Sequence, residues 1–215
     1  MPANPQEITN RGITEIANSY AKVIASLSEP PIVIGHSFGG LIAQVILGRG
    51  IAAAGIAIDP APIKGVWQLP LSALKASFPV LGNPFNLKKA KSLTFNQFSY
   101  GFANAIPEKE GREIYDRWTI PAPARPLFKA AIATFAGKET KVDTANTKRG
   151  PLLITGGEKD HIAPPVLGRA SSKKYNSSVT TEFKLFQDRG HSLILDHGWR
   201  EVAEYSLAWL NKNGL

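Results

Sequence analysis

Pro31-Ile32-Val33-Ile34-Gly35-His36-Ser37-Phe38-Gly39-Gly40-Leu41 is the stretch that decides the fold of this chain. Its first half is apolar and β-branched, as a buried strand requires. A glycine, a histidine and a serine follow, and from Leu41 the chain runs on in Leu, Ile, Ala and Val as a helix would. The pattern G-x-S-x-G between a strand and a helix describes a turn so sharp that the residues two before and two after the serine meet. Gly35 and Gly39 are therefore expected to lack side chains because they crowd one another. Ser37 would stand at the bend in strained backbone, clear of the sheet. The Phe38 N–H, at the positive end of the new helix, would face any negative charge developing beside the serine oxygen. A phosphate-binding turn is the competing reading. It is disfavoured because the lysine of a phosphate loop is missing and the G-x-G-x-x-G spacing is not met.

Working outward, Ile13, Ile16, Ala17, Tyr20, Ile24 and Leu27 recur at helical intervals, with Thr14 as the expected cap, and Glu29-Pro30-Pro31 ends that helix. The helix after Ser37 should run to about Leu47 and stop at Gly48 and Gly50. Ala53 to Ile58 reads as a second buried parallel strand ending in Asp59-Pro60. Residues 60–149 are chopped by prolines into short helices, of which 94–105, 108–118 and 125–135 are the clearest, and they are rich in aromatic residues. Strands then return at 151–155 and 181–186, each followed by a loop, with helices expected over 164–175 and 198–212. This is an α/β pattern: a doubly wound, mostly parallel sheet formed by residues 1–59 and 150–215, with a helical cap inserted at 60–149. The cap's apolar inner side would line an acyl pocket, although any single ring is more readily explained as packing between cap helices.

Composition narrows the chemistry. The chain has 215 residues, 43% of them hydrophobic, enough for one full core. With no cysteine there is no disulfide, thiolate nucleophile or thiolate metal site. No apolar run approaches membrane-spanning length, and Met1 is followed by no basic and then apolar leader. The net charge of +8 comes from scattered Lys and Arg, which reads as a solvated surface and not as a nucleic-acid site. No metal or organic cofactor is indicated.

A serine hydroxyl becomes a nucleophile only when a base accepts its proton, and the base must itself be held by a buried acceptor. Ser37, Asp160 and His191 each follow a predicted strand directly, at the end of the sheet where ligands bind. They occur in the order nucleophile, acid, base. Together with Gly157-Glu158-Lys159-Asp160, Pro164 and Gly190-His191-Ser192, the turn around Ser37 resembles the α/β-hydrolase family over nearly the whole chain. The resemblance implies an esterase-like or lipase-like serine hydrolase acting on a small apolar carboxylic ester through an acyl-enzyme. Ser37 would be the nucleophile, His191 the base, Asp160 the acid that orients it, and Phe38 N–H the oxyanion donor. Asp59 also ends a strand and is the competitor for the acid, with Asp160 preferred. His36, beside the serine on a sharp turn, should point elsewhere. His161 is expected to be a loop or supporting residue, and His197 to lie beyond the site.

Members of that family carry further strands before the helix preceding the serine turn, and a loop after one of them supplies a second oxyanion N–H. Residues 1–14 contain neither, so the resemblance implies an amino-terminal truncation. Two expectations follow. The strand 32–34 becomes an exposed edge inviting a second copy or a missing partner fragment, and loss of one donor lowers the rate about a hundredfold. The alternative to a working enzyme is a weak or inactive hydrolase serving as a binding or assembly subunit. Without a targeting or membrane segment, the expected location is the cytoplasm.

Overall fold

The computed structural model describes residues 11–135, 138–176 and 178–215. Helix α1 (Ile13–Ile24) leads to strand β1 (Ile32–His36), helix α2 (Phe38–Gly48) and strand β2 (Ala54–Ile58). Strand β2 is buried along its whole length, as is β5 (Leu152–Gly157), so both read as continuous apolar runs. With β6 (Thr181–Phe186) they form a four-stranded parallel sheet in the order β1-β2-β5-β6. Ile34 pairs with Ile56, and Ile154 with both Ala57 and Phe183. Helices α7 (Pro165–Ser172) and α8 (Trp199–Lys212) complete the core.

Two apolar clusters fill the two faces of the sheet. Ile13, Ala17, Leu41, Val45, Ala57, Ile154 and Leu167 pack on one side, tying α1, α2 and α7 to the strands. Ile56, Leu153, Phe186, Val202 and Trp209 pack on the other, beneath α8. On α8, Val202, Ser206 and Trp209 are buried, whereas Trp199, the first residue of the helix, is 44% exposed. Among the described residues no helix is long and apolar enough to cross a membrane.

Between β2 and β5 the chain leaves the sheet. It forms α3 (Leu71–Leu81), a 3-10 helix (Pro84–Lys88), and two-residue strands β3 (Ala90–Lys91) and β4 (Ala122–Pro123) that pair antiparallel. It also forms α4 (Phe95–Gly101), α5 (Glu108–Trp118) and α6 (Arg125–Phe135). Thr94 and Gln97 form a reciprocal cap at the start of α4, which fixes its entry. Phe98, Ala103 and Ile114 make a small separate core between α4 and α5.

Three local expectations change. Thr14 is not the cap of α1: Gly12 is, its N–H donating to Glu15 Oε2 at 3.0 Å, so Thr14 already lies inside the first turn. Helix α1 ends at Ile24, leaving Leu27 in a turn, 49% exposed. Helix α4 stops at Gly101, because Phe102 turns inward to pack on the histidines described next.

Candidate active site

The chain turns from β1 into α2 at Ser37, with φ 55° and ψ −118°. Positive φ in a residue with a β-carbon is held only where neighbours over-determine it. Here Ser37 N–H donates to Ile58 C=O at 2.9 Å, and Ser37 C=O accepts from Ala61 and Leu41 at 3.0 and 3.2 Å. The crowding at the turn is one-sided. A β-carbon on Gly35 would overlap the Gly39 carbonyl, whereas one on Gly39 would meet nothing within 4 Å. Gly40 is the second tight position, since its β-carbon would lie 2.9 Å from Pro60 Cβ. Phe38 opens α2, so its N–H is among those that a helix leaves without an acceptor in its own turns.

Two loops at the same end of the sheet are locked together. Glu158 N–H donates to Phe186 C=O at 2.9 Å and Lys159 N–H to Arg189 C=O at 2.8 Å. Asp160 turns inward and accepts through Oδ1 from Ile162 and Ala163 N–H at 2.7 and 2.9 Å. Its Oδ2 lies 2.6 Å from His191 Nδ1. Asp160 and His191 are each 2% exposed. Burial alone would push the Asp160 carboxyl up, but the His191 ring and the two loop N–H groups hold it below its ordinary value. Asp160 is thus a carboxylate that accepts from His191 Nδ1–H, which leaves Nε2 as the ring's other nitrogen. Among the described residues Ser37 Oγ makes no hydrogen bond to that nitrogen.

The histidine loop is braced from behind. Arg189, two residues before His191, pairs with the fully buried Asp196 and donates to Gly198 C=O at 2.8 Å. Ser192 Oγ, next to His191, donates to the other oxygen of Asp196 at 2.8 Å. Sequence reading missed this brace. Its signal was an Arg and an Asp flanking a loop histidine, which polar loops carry for many reasons.

His36 does not point away as the sharp turn suggests. Its Nε2 lies 3.0 Å from His191 C=O, and the two imidazole rings are 4.4 Å apart. Burial, then the neighbouring His191, push His36 down to about 3, so it is neutral and its Nε2–H donates to that carbonyl. Phe102 meets both rings edge-on, with centroids 5.5 Å from His191 and 6.1 Å from His36.

Asp59 and Asp160, weighed against each other in the sequence, occur together. Asp59 directly follows β2 at φ 42° and is 1% exposed, with Oδ1 accepting from Gly157 N–H at 2.8 Å. Burial and the Asp160 carboxylate raise Asp59 well above the usual carboxylate range, so it keeps its proton. His36, Asp59 and His191 bring one potential metal ligand each within 4.8 Å of one another. That set is poorly arranged for a cation, because His191 Nδ1 is committed to Asp160, Asp59 Oδ1 to Gly157 N–H and His36 Nε2 to the His191 carbonyl.

The insertion reaches this end of the sheet. Asn104 Nδ2 donates to Lys159 C=O at 2.7 Å, His161 Nδ1 lies 2.8 Å from Tyr100 C=O, and the Glu110 carboxylate accepts from His197 N–H at 2.6 Å. His161 and His197 are thus loop contacts to the insertion, His197 just ahead of α8. Beside Ser37 a cavity of about 160 Å³ is lined by Phe38, Val66, Leu74, Leu81, Leu127, Ala130, Ala163 and Leu167. Phe38 is the one ring in its described lining; the insertion contributes mainly aliphatic side chains, with Gln68 and Ser77, and none of its aromatic rings. Phe98 is spent on the α4–α5 core, while Phe78 and Phe85 face outward.

The sequence pattern of the alpha/beta hydrolase family matches residues 6–205. The chain belongs to the alpha/beta hydrolase family. Among solved structures it is similar to a Paleococcus ferrophilus monoacylglycerol lipase at 21% identity and a TM-score of 0.62, covering 95% of this chain and 78% of that one. It is also similar to the pyrethroid hydrolase PytH, at 12% identity and a TM-score of 0.65, covering 99% and 83%. Polyneuridine aldehyde esterase follows at 16% identity and 0.61, covering 96% and 82%. At these identities the likeness is one of fold. A search of curated proteins finds no match to this chain. Within the family fold, Ser37, Asp160 and His191 all lie at the carboxyl ends of parallel strands.

Proposed function

We propose that this alpha/beta hydrolase cleaves carboxylic esters through an acyl-enzyme on Ser37. The observation that carries the reading is the His191 Nδ1 to Asp160 Oδ2 contact of 2.6 Å, buried at the same end of the sheet as the strained Ser37. His191 Nε2 takes the Ser37 proton as Oγ attacks the ester carbonyl carbon. The negative charge that forms on the carbonyl oxygen falls to Phe38 N–H at the head of α2. Collapse breaks the bond to the alcohol, which leaves with the proton from His191. Water then repeats the cycle on the acyl-serine and releases the acid.

Residues 60–149 act as a cap over this end of the sheet, and the cavity beside Ser37 takes the acyl group. Its mostly apolar lining and volume of about 160 Å³ suit one small apolar arm, since sites for whole drug-sized ligands are larger, about 300 Å³ and above. The test is hydrolysis of p-nitrophenyl acetate and butyrate by the wild type and Ser37→Ala. Turnover lost at least about a thousandfold in the variant supports the reading. Turnover that survives the substitution contradicts it.

A second reading, a binding subunit with little or no turnover, draws on one feature: Ser37 Oγ has no hydrogen bond to His191 among the described residues. Catalytic hydrogen bonds are often long before substrate binds, so the first reading is preferred.

A further inference from the structure

Helix α3 breaks the usual rule for a helix in a folded protein, that one stripe of its side chains is buried. None of its eleven residues is buried, although its sequence, Leu-Ser-Ala-Leu-Lys-Ala-Ser-Phe-Pro-Val-Leu, is mostly apolar. Leu71 is 83% exposed and Phe78, seven residues on, 70%. The 3-10 helix that follows packs against α3 and inverts burial outright. Asn86 is buried and donates to Val80 C=O at 2.9 Å, which leaves Phe85 79% exposed. Phe78 also lies over the link between the two elements, since a β-carbon on Gly82 would come within 3.0 Å of its ring. A polar residue inside and phenylalanines outside is a costly arrangement in water unless something apolar meets them.

Charge identifies what meets them. From Pro60 to Pro107 the chain contains Lys64, Lys75, Lys88, Lys89 and Lys91 and neither an acidic residue nor an arginine, so this stretch supplies most of the net charge of +8. Lys75 stands one turn from Leu71 and from Phe78 on α3, exposed with its ammonium 4.1 Å over the Tyr100 ring, and Lys88 and Lys89 are exposed at the end of the 3-10 helix. Exposed apolar side chains ringed by lysines, with no acids among them, match an anionic lipid surface: rings enter the acyl boundary and ammonium groups remain at the headgroups. A second copy of the same face would set lysines against lysines. We propose that α3 and the 3-10 helix Pro84–Lys88 form a docking face for an anionic lipid surface.

The inference is independent of turnover, because docking is read without any reaction at Ser37. The opposite edge of α3, through Ala73, Ser77 and Leu81, lines the cavity beside Ser37, so a docked molecule would hold that cavity close to the lipid. The experiment is co-sedimentation of the full chain with vesicles of equal parts phosphatidylglycerol and phosphatidylcholine, against vesicles of phosphatidylcholine alone. Partition should favour the anionic vesicles and weaken as salt rises. Phe78→Ser with Phe85→Ser should lower it about tenfold or more, and each of Lys75→Glu, Lys88→Glu and Lys89→Glu by about fivefold or more. These side chains are exposed and outside the described cavity lining, so circular dichroism and hydrolysis of soluble esters should match the wild type. Absence of partition to anionic vesicles would overturn the proposal. So would partition untouched by both sets of variants, or a dimer formed without lipid that the phenylalanine variants dissolve.

Discussion

The Oδ2 atom of Asp59 lies 4.0 Å from His191 Nδ1, outside hydrogen-bond reach. Asp160 Oδ2 reaches the same nitrogen at 2.6 Å. Two buried carboxyl groups behind one imidazole cannot both ionise cheaply, and the pair divides accordingly: Asp59 keeps its proton while Asp160 stays charged. The two positions should therefore respond differently to loss of charge. Asp160→Asn removes the carboxylate that fixes the His191 proton on Nδ1 and should lower kcat/KM by at least about a hundredfold. Asp59→Asn keeps a neutral side chain that can still accept from Gly157 N–H, so its effect should stay within about tenfold. Comparable losses in the two variants would show that the division is wrong.

His36 gives a stability prediction with a defined sign. Its folded-state value is about 3 against an ordinary 6.5, so below 6.5 the unfolded chain binds a proton that the folded chain refuses. The stability it contributes is complete above that value and is lost as pH falls from 6.5 toward 3. Thermal unfolding across this window should show a falling midpoint. The fall should be shallower in His36→Asn, which has no imidazole to protonate. An unchanged slope would place the acid sensitivity elsewhere.

The glycines at the serine turn separate cleanly. Gly35→Ala drives a methyl group into the Gly39 carbonyl, a backbone group that cannot step aside, and should cost about 2 kcal/mol or more. Gly39→Ala adds a methyl group to open space near the start of a helix and should change stability by less than about 1 kcal/mol. Urea unfolding of the two variants checks the contrast. Equal losses would mean that the crowding is mutual.

Much of this was legible in the sequence because it rests on local pattern. The β-branched run 32–34, the glycines around Ser37 and the apolar helix behind it specify a strand, a bend and a helix without distant information. The helices Glu108–Trp118 and Arg125–Phe135 and the strand Thr181–Phe186 have the bounds that periodicity predicts. Helix α3 escaped notice because Pro70, Pro79 and Pro84 punctuate it; Pro70 stands at its cap, and Pro79 is tolerated inside the helix near its end. Asp59 and Asp160 looked like rivals for one role, since nothing in a linear sequence says that parallel neighbours β2 and β5 set their loops side by side. The contact of His36 with His191 spans 155 positions and has no local signature. The aromatic wealth of the insertion suggested a ring-lined pocket, yet whether a ring faces the cavity or the outside depends on helix rotation, which composition does not encode. Among the described residues β1 is an edge strand of the sheet, with Ile34 60% exposed.

The central claim is that the Ser37 hydroxyl is activated by His191. Labelling with a fluorophosphonate, followed by mass spectrometry of the peptide containing residue 37, tests it most directly. The account predicts one phosphonate adduct on Ser37 in the wild type, at least about a hundredfold slower labelling in His191→Ala, and none in Ser37→Ala. An intact wild type that remains unlabelled, or that labels as fast without His191, would contradict it.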